Sequence, residues 1–262
     1  MSEIENIVKD MKQAGFPLEV VAGTRFTNKG WTARHQVFYY DEVDKKGKYV
    51  DITAHKVIDR SSEIFKRLNY TVVAECKKSE KAWVFYTPPN TFLTQDPDMA
   101  SIGYLRTIPS FTPDGLRYLL HNHYVTQAPL DRIAVASYVA FTGRESKEQY
   151  QIFTATNQVL TALQYLIGWT RSSLSKVRVP NSLAIYYPAI IFEGKMYEYV
   201  LDEKENPQLA ETQYVKYEVA FQSAGKTGEF LTFLIDVVTK DFLPTYLDIL
   251  EDEMQLTNKR IP

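Results

Sequence analysis

The chain has one cysteine, Cys76, in 262 residues. A lone thiol closes no internal disulfide and leaves no cysteine cluster for a structural zinc ion, so a secreted disulfide scaffold is excluded and a reducing, cytoplasmic setting is expected. No stretch approaches about 18 uninterrupted apolar residues, and Met1 to Asp10 carries acids without an apolar run, so neither membrane spanning nor export is expected. An excess of one charge is also missing. With 30 Lys and Arg against 32 Asp and Glu, the formal charge is −2, which argues against coating a polyanion by bulk charge. Repeats, low-complexity tracts and a helix-turn-helix or zinc-finger reader are not seen. Gly225-Lys226-Thr227 has the ending of a phosphate-binding loop, but Ala220 stands where its first glycine belongs, so an NTPase is not expected. The contiguous His121-Asn122-His123 carries no weight either, because the HNH motif it spells is dispersed over a strand-strand-helix unit.

What remains is an ordinary globular composition, 45% hydrophobic and 24% charged, enough to bury one sizeable core. Charge is unevenly placed. Arg25 to Tyr86 holds 13 Lys and Arg against 8 Asp and Glu, whereas Glu193 to Glu253 holds 5 against 14. A polyanion is drawn to the first segment, and the acidic second half offers a surface for a protein partner or a second copy of the chain.

Apolar spacing predicts a helix from Ser2 to Ala14 ended by Gly15, and a short one from Pro17 to about Gly30 that carries Glu19. Trp31 to Tyr40 and Lys48 to Val57 read as strands around the turn Asp44-Lys45-Lys46-Gly47, and Tyr70 to Cys76 as a third. Between residues 87 and 131 six prolines break the pattern, which marks an insertion or lid. A strand from Ile133 to Phe141 follows, then the strongest helix, Ser146 to Gly168, opened by a Ser146/Gln149 capping pattern. Strands are expected at Leu183 to Phe192, Met196 to Leu201, Gln213 to Gln222 and Phe230 to Thr239, and a closing helix from Asp241 to Gln255. The expected class is α/β, a single domain over residues 1–262 with a central mixed sheet flanked by helices.

The chemistry concentrates in Tyr49-Val50-Asp51-Ile52 and, 24 residues after Asp51, Ala74-Glu75-Cys76-Lys77. Strand alternation puts Glu75 and Lys77 on one face. If the Asp51 strand lies alongside, two carboxylates and an ammonium converge, an arrangement costly in a core unless something binds there. A hard divalent cation removes the repulsion, and phosphodiester hydrolysis is the reaction these parts suit.

These residues resemble the Mrr-like branch of the PD-(D/E)xK nuclease superfamily. The match runs through Gly15-Phe16-Pro17-Leu18-Glu19, Gly30-Trp31, Tyr49-Val50-Asp51-Ile52-Thr53-Ala54, Glu75-Cys76-Lys77-Lys78-Ser79 and Trp83-Val84-Phe85, well from Gly15 to Phe85 and loosely beyond. The resemblance implies a restriction-endonuclease-like core with additional C-terminal strands. It implies Asp51, Glu75 and Glu19 as ligands of Mg²⁺, with Mn²⁺ as substitute, and Lys77 as the catalytic lysine.

The function expected is a metal-dependent endonuclease acting on DNA in restriction or phage defence. The alternatives are a nuclease-fold protein that binds nucleic acid or a protein without cutting, and an RNase on the same fold. Arg34, Lys56, Lys78 and Lys81 are candidates for phosphate contacts. His55 can share the Asp51 face, Gln158 can orient a water or phosphate, and Trp83, Phe85 and Tyr86 are candidate base-stacking rings.

Overall fold

A computed structural model describes residues 2–13, 16–60, 66–88, 105–107, 133–141, 147–175, 182–202, 204–222 and 230–260. The His121-Asn122-His123 and Gly225-Lys226-Thr227 motifs, and all but a few residues of the expected 87–131 insertion, lie outside them.

Two helices open the chain, α1 (Glu3–Gln13) and α2 (Phe16–Asn28). Pro17 suits the first turn of α2, where its missing N–H is not needed. At the other end Gly30 takes φ 76°, its N–H meets Thr27 O, and the Trp31 N–H meets Phe26 O. That pair of bonds is a Schellman closure, which a glycine permits without strain.

The main sheet begins as an antiparallel meander of β1 (Thr32–Asp41), β2 (Lys46–Asp59) and β3 (Arg67–Lys78). The β1–β2 turn is closed by Asp41, which accepts the Val43 and Asp44 N–H groups and the Lys48 ammonium. Four elements of the middle region are short. They are β4 (Trp83–Tyr86), β5 (Leu105–Thr107), β6 (Ile133–Ala134) and β7 (Ala136–Val139). A 3₁₀ turn (Lys147–Tyr150) leads into the long helix α3 (Gln151–Ser175). Then come β8 (Ser182–Glu193), β9 (Met196–Leu201), β10 (Pro207–Glu211), β11 (Tyr214–Gln222), β12 (Phe230–Thr239) and α4 (Leu243–Arg260).

Strand order in the main sheet is β1-β2-β3-β8-β12-β11-β6, with β5 also on β8. β3, β8 and β12 run parallel at its centre, and such strands must be covered on both faces. Covering comes from α2 and α4 on one face, where Leu247 of α4 shares a core with Tyr70, Val72 and Tyr187, and from α3 on the other, where Leu160 and Leu163 of α3 share a core with Val73 and Ile190. Pro188 is tolerated inside β8 because it falls between the stretch paired with β5 and the stretch paired with β12.

The α/β class with a mixed sheet flanked by helices is what the sequence predicts. A second sheet, β10-β9-β4-β7, is not. The single strand expected from Ile133 to Phe141 is in fact two, β6 in the main sheet and β7 in the second. Val135 between them is exposed and its N–H is taken by Tyr86 O, which lets the chain change sheets. Helix α3 continues past Gly168, whose absent side chain faces open space, so nothing there demands a stop. Among the described residues, no helix is long and apolar enough to cross a membrane.

Candidate active site

The β2–β3 ladder runs from Asp59/Arg67 to Ile52/Ala74 and stops. Beyond that point β2 stays with β1 as far as Lys46, and β3 stays with β8 as far as Glu193. The sheet therefore forks, and Asp51 and Glu75 are the first residues on its two prongs. The Asp51 carboxylate fills the gap by accepting the Cys76 N–H at 2.7 Å, replacing the backbone bond the departing strand no longer makes.

The fork coincides with a change of face. Before it, Ala33 of β1 and Ile52 and Ala54 of β2 lie against the α2 side. After it, Val37, Tyr39 and Val50, which have the same alternation parity, lie against the α3 side. Regular alternation forbids this without a local twist. The twist is at Gln36, opposite Asp51 in the register, whose φ of 47° is left-handed. A non-glycine residue in that conformation inside a strand stores strain, and such strain gathers at functional sites.

Side chains from five elements meet here. Glu75 is 2% exposed and its Oε1 accepts the Lys77 ammonium at 2.8 Å. Lys77 also donates to Gln158 Oε1 of α3 at 3.0 Å and keeps a quarter of its side chain in solvent. From α2, Glu19 comes in from the opposite face and takes a hydrogen bond from the Gln36 amide. The grouping raises all three acids. Burial, opposed by Lys77 and reinforced by Asp51, pushes Glu75 up to about 7. Burial also raises Asp51 against the Cys76 N–H and Lys77, and burial followed by the Asp51 charge raises Glu19. The partly exposed Cys76 thiol is pushed well up by desolvation and then by the Asp51, Glu19 and Glu75 charges, and is a poor nucleophile.

Two buried carboxylate oxygens, Glu19 Oε2 and Glu75 Oε2, have no hydrogen-bond partner among the described residues. Acceptors desolvated without a donor are expensive, and a hard cation is the natural complement to them. Yet among the described residues no three His, Cys, Asp or Glu side chains are gathered closely enough to hold a metal ion. Glu75 is turned onto Lys77 and Asp51 onto the Cys76 N–H. The donor set thus fits a cation that takes one or two carboxylates and completes its shell with water and substrate oxygens, which is the habit of Mg²⁺, and does not fit a closed protein cage.

The sequence-predicted residues divide accordingly. Asp51, Glu75, Lys77, Glu19 and Gln158 come together. His55 shares their side of β2 but its Nδ1 pairs with Thr71 Oγ1 at 3.0 Å, and burial, then Arg34, lowers its pKa. Arg34 is exposed on β1, two residues before Gln36. Lys78 projects to the other face and pairs with Glu193 at 3.4 Å, while Lys81 lies in the turn after β3, its N–H on Ser79 Oγ. Lys56 is taken up elsewhere: its ammonium holds Glu251 and Lys29 O and lies over the Trp31 ring. Trp83 and Phe85 are fully buried, Trp83 stacked on Phe192 at 4.1 Å, so neither ring can receive a base. Gln36 is the residue that sequence reasoning missed. Its strand looks regular in the sequence, and only the parity of Ala33 against Val37 and Tyr39 hints at a break.

Comparison with protein-family models, with curated proteins and with solved structures finds no match to this chain.

Proposed function

We propose that the chain is a metal-dependent endonuclease with a restriction-endonuclease-like core, hydrolysing phosphodiester bonds with DNA as the main substrate. The observation that carries this reading is the meeting of Glu19, Asp51, Glu75 and Lys77 at the fork, with two buried carboxylate oxygens unpartnered among the described residues. Asp51 and Glu75 would hold Mg²⁺ or Mn²⁺, and Glu19 would hold it directly or through water. When bound, the cation polarises a phosphoryl oxygen and lowers the pKa of a coordinated water. The protein's own part is positioning and charge. Lys77, fixed by Glu75 and Gln158, reaches solvent at the mouth of the fork, where its ammonium can orient the attacking water and offset charge on the phosphate. Gln158 keeps that ammonium in place from the opposite wall.

Asp51→Ala, Glu75→Ala and Lys77→Ala should each remove Mg²⁺-dependent cleavage of DNA while leaving the circular dichroism spectrum unchanged. Cleavage that persists in excess EDTA, or in all three variants, refutes the assignment. A second reading, a nuclease-fold protein that binds nucleic acid without cutting, is favoured by the closed Glu75–Lys77 pair. The two separate on metal identity, because Ca²⁺ in place of Mg²⁺ should support binding by the enzyme with little turnover, whereas a pure binder cuts with neither.

A further inference from the structure

Beyond the Gln36–Asp51 rung, the β1–β2 ribbon presents an aromatic side to solvent. Residues opposite one another in an antiparallel pair project to the same side, and sides alternate along each strand. Tyr49 pairs with Phe38 and Gly47 with Tyr40, so beyond the twist at Gln36 these rungs share the side of the ribbon turned away from α3. The intervening residues, Val37, Tyr39 and Val50, are packed toward α3. Phe38 is 49% exposed, Tyr49 59% and Tyr40 36%, although a ribbon needs no exposed rings to hold together. The Phe38 and Tyr49 rings meet edge to face with centroids 5.8 Å apart. Gly47 makes room for them, since a Cβ there would lie 2.4 Å from the Phe38 ring.

The charge at this end of the ribbon is cancelled. Lys45, Lys46 and Lys48 are paired with Glu42, Asp44 and Asp41, which leaves a neutral aromatic surface with little attraction for phosphate. Cationic groups sit at the other end, with exposed Arg34 on β1 and Lys77 at the fork. On the nuclease reading a cation held by Asp51 and Glu75 would draw phosphate to the fork, and rings are offered beyond it. A duplex keeps its base faces stacked inside and gains nothing from such rings, whereas an unpaired strand can put its backbone at the fork and its bases on the ribbon.

We propose that the substrate is nucleic acid with an unpaired strand at the cleavage site, whose bases stack on Phe38 and Tyr49 while its backbone crosses the Asp51–Lys77 fork. This rests on the nuclease reading for what happens at the fork, but the stacking itself does not. Same-side rungs lie about 6.8 Å apart, two residues at about 3.4 Å each, so the ribbon has room for two or three splayed nucleotides.

The test measures fluorescence anisotropy of a labelled 20-nucleotide oligodeoxythymidine and of a blunt, fully paired two-stranded duplex, both in Ca²⁺ and in EDTA. Wild type should bind the single strand about tenfold or more tightly than the blunt duplex. Phe38→Thr/Tyr49→Thr keeps strand propensity while removing both rings, and should bring that ratio close to one. Phe38→Tyr/Tyr49→Phe keeps the rings and should keep the ratio. Equal wild-type affinity for the two probes, or a threonine pair that retains the preference, overturns the proposal. If ring-dependent single-strand binding is found in a protein that cuts nothing, this proposal stands and only the catalytic reading falls. If the protein cuts blunt duplex as well as single strand, in wild type and threonine pair alike, the catalytic reading stands and this proposal falls.

Discussion

Glu75→Gln should make the protein more stable and inactive at once. The wild-type carboxyl moves from an ordinary value of 4.5 in the unfolded chain to about 7 in the fold, chiefly because burial penalises its charge. A raised acid holds its proton longer in the folded state, so stability is lost as pH rises from about 4.5 to about 7. Below that window both states are protonated and there is no cost; above it the full cost is present. A difference of about 2.5 in pKa, at about 1.4 kcal/mol per unit, corresponds to about 3 kcal/mol. The favourable Lys77 interaction is already contained in that figure. Glutamine keeps the shape and still offers an oxygen to Lys77 but never ionises, so its stability should not follow this window. Urea unfolding in EDTA should find the two proteins alike at about pH 4, below the window, with the variant ahead by up to about 3 kcal/mol at pH 8. Added Mg²⁺ should then close the gap from the wild-type side alone, by about 2.7 kcal/mol at a hundred times its dissociation constant. A variant no more stable than wild type at pH 8, or a gap that does not shrink toward about pH 4, would show that Glu75 is not a strained buried carboxylate.

Glu19→Gln should weaken Mg²⁺ affinity on the order of 10- to 100-fold and be partly rescued by raising Mg²⁺; superimposable Mg²⁺ titrations of cleavage would remove Glu19 from the site. Gln36→Gly relieves the left-handed strain at φ 47°, so thermal unfolding should show a fold no less stable, by roughly 1 kcal/mol in the glycine's favour. It also deletes the bond to Glu19, and cleavage should require more Mg²⁺. Lys56→Met should cost about 1 kcal/mol of stability through the lost Glu251 pair and Trp31 contact. Anisotropy with DNA should be unchanged, because that ammonium lies at α4 and not at the fork.

Much of the fold was legible because its signals are local. Strand β12 has the bounds that alternation and turn residues suggest, α2 ends at the glycine its sequence offers, and β8 is as central as its apolar run implies. The second sheet was not legible. Its strands β4, β7 and β10 are four or five residues long, and their pairing depends on where the chain returns rather than on what each segment prefers. Nor does a sequence say which lysine already has a partner. Lys56 and Lys77 look equally basic along the chain, yet one meets Glu251 from 195 positions away and the other Gln158 from 81.

The acids of the site were legible as residue types, and their electrostatic state was not, for a related reason. Strand parity places Glu75 and Lys77 on one face from the sequence alone. Bringing Glu19 in from the opposite face of the sheet needs an opening through it, and the parting of β2 from β3 at Ile52/Ala74 provides one. The twist at Gln36 then carries the ribbon across to the α3 side. That crossover leaves Asp51 between the two faces, near Glu19 on one side and Glu75 on the other. A continuous ladder would have kept the two glutamates apart, each with its own helix, and neither would have been raised by Asp51. The fork is therefore the cause of the charge cluster, and the strain at Gln36 is the feature through which the fold and the proposed chemistry are joined.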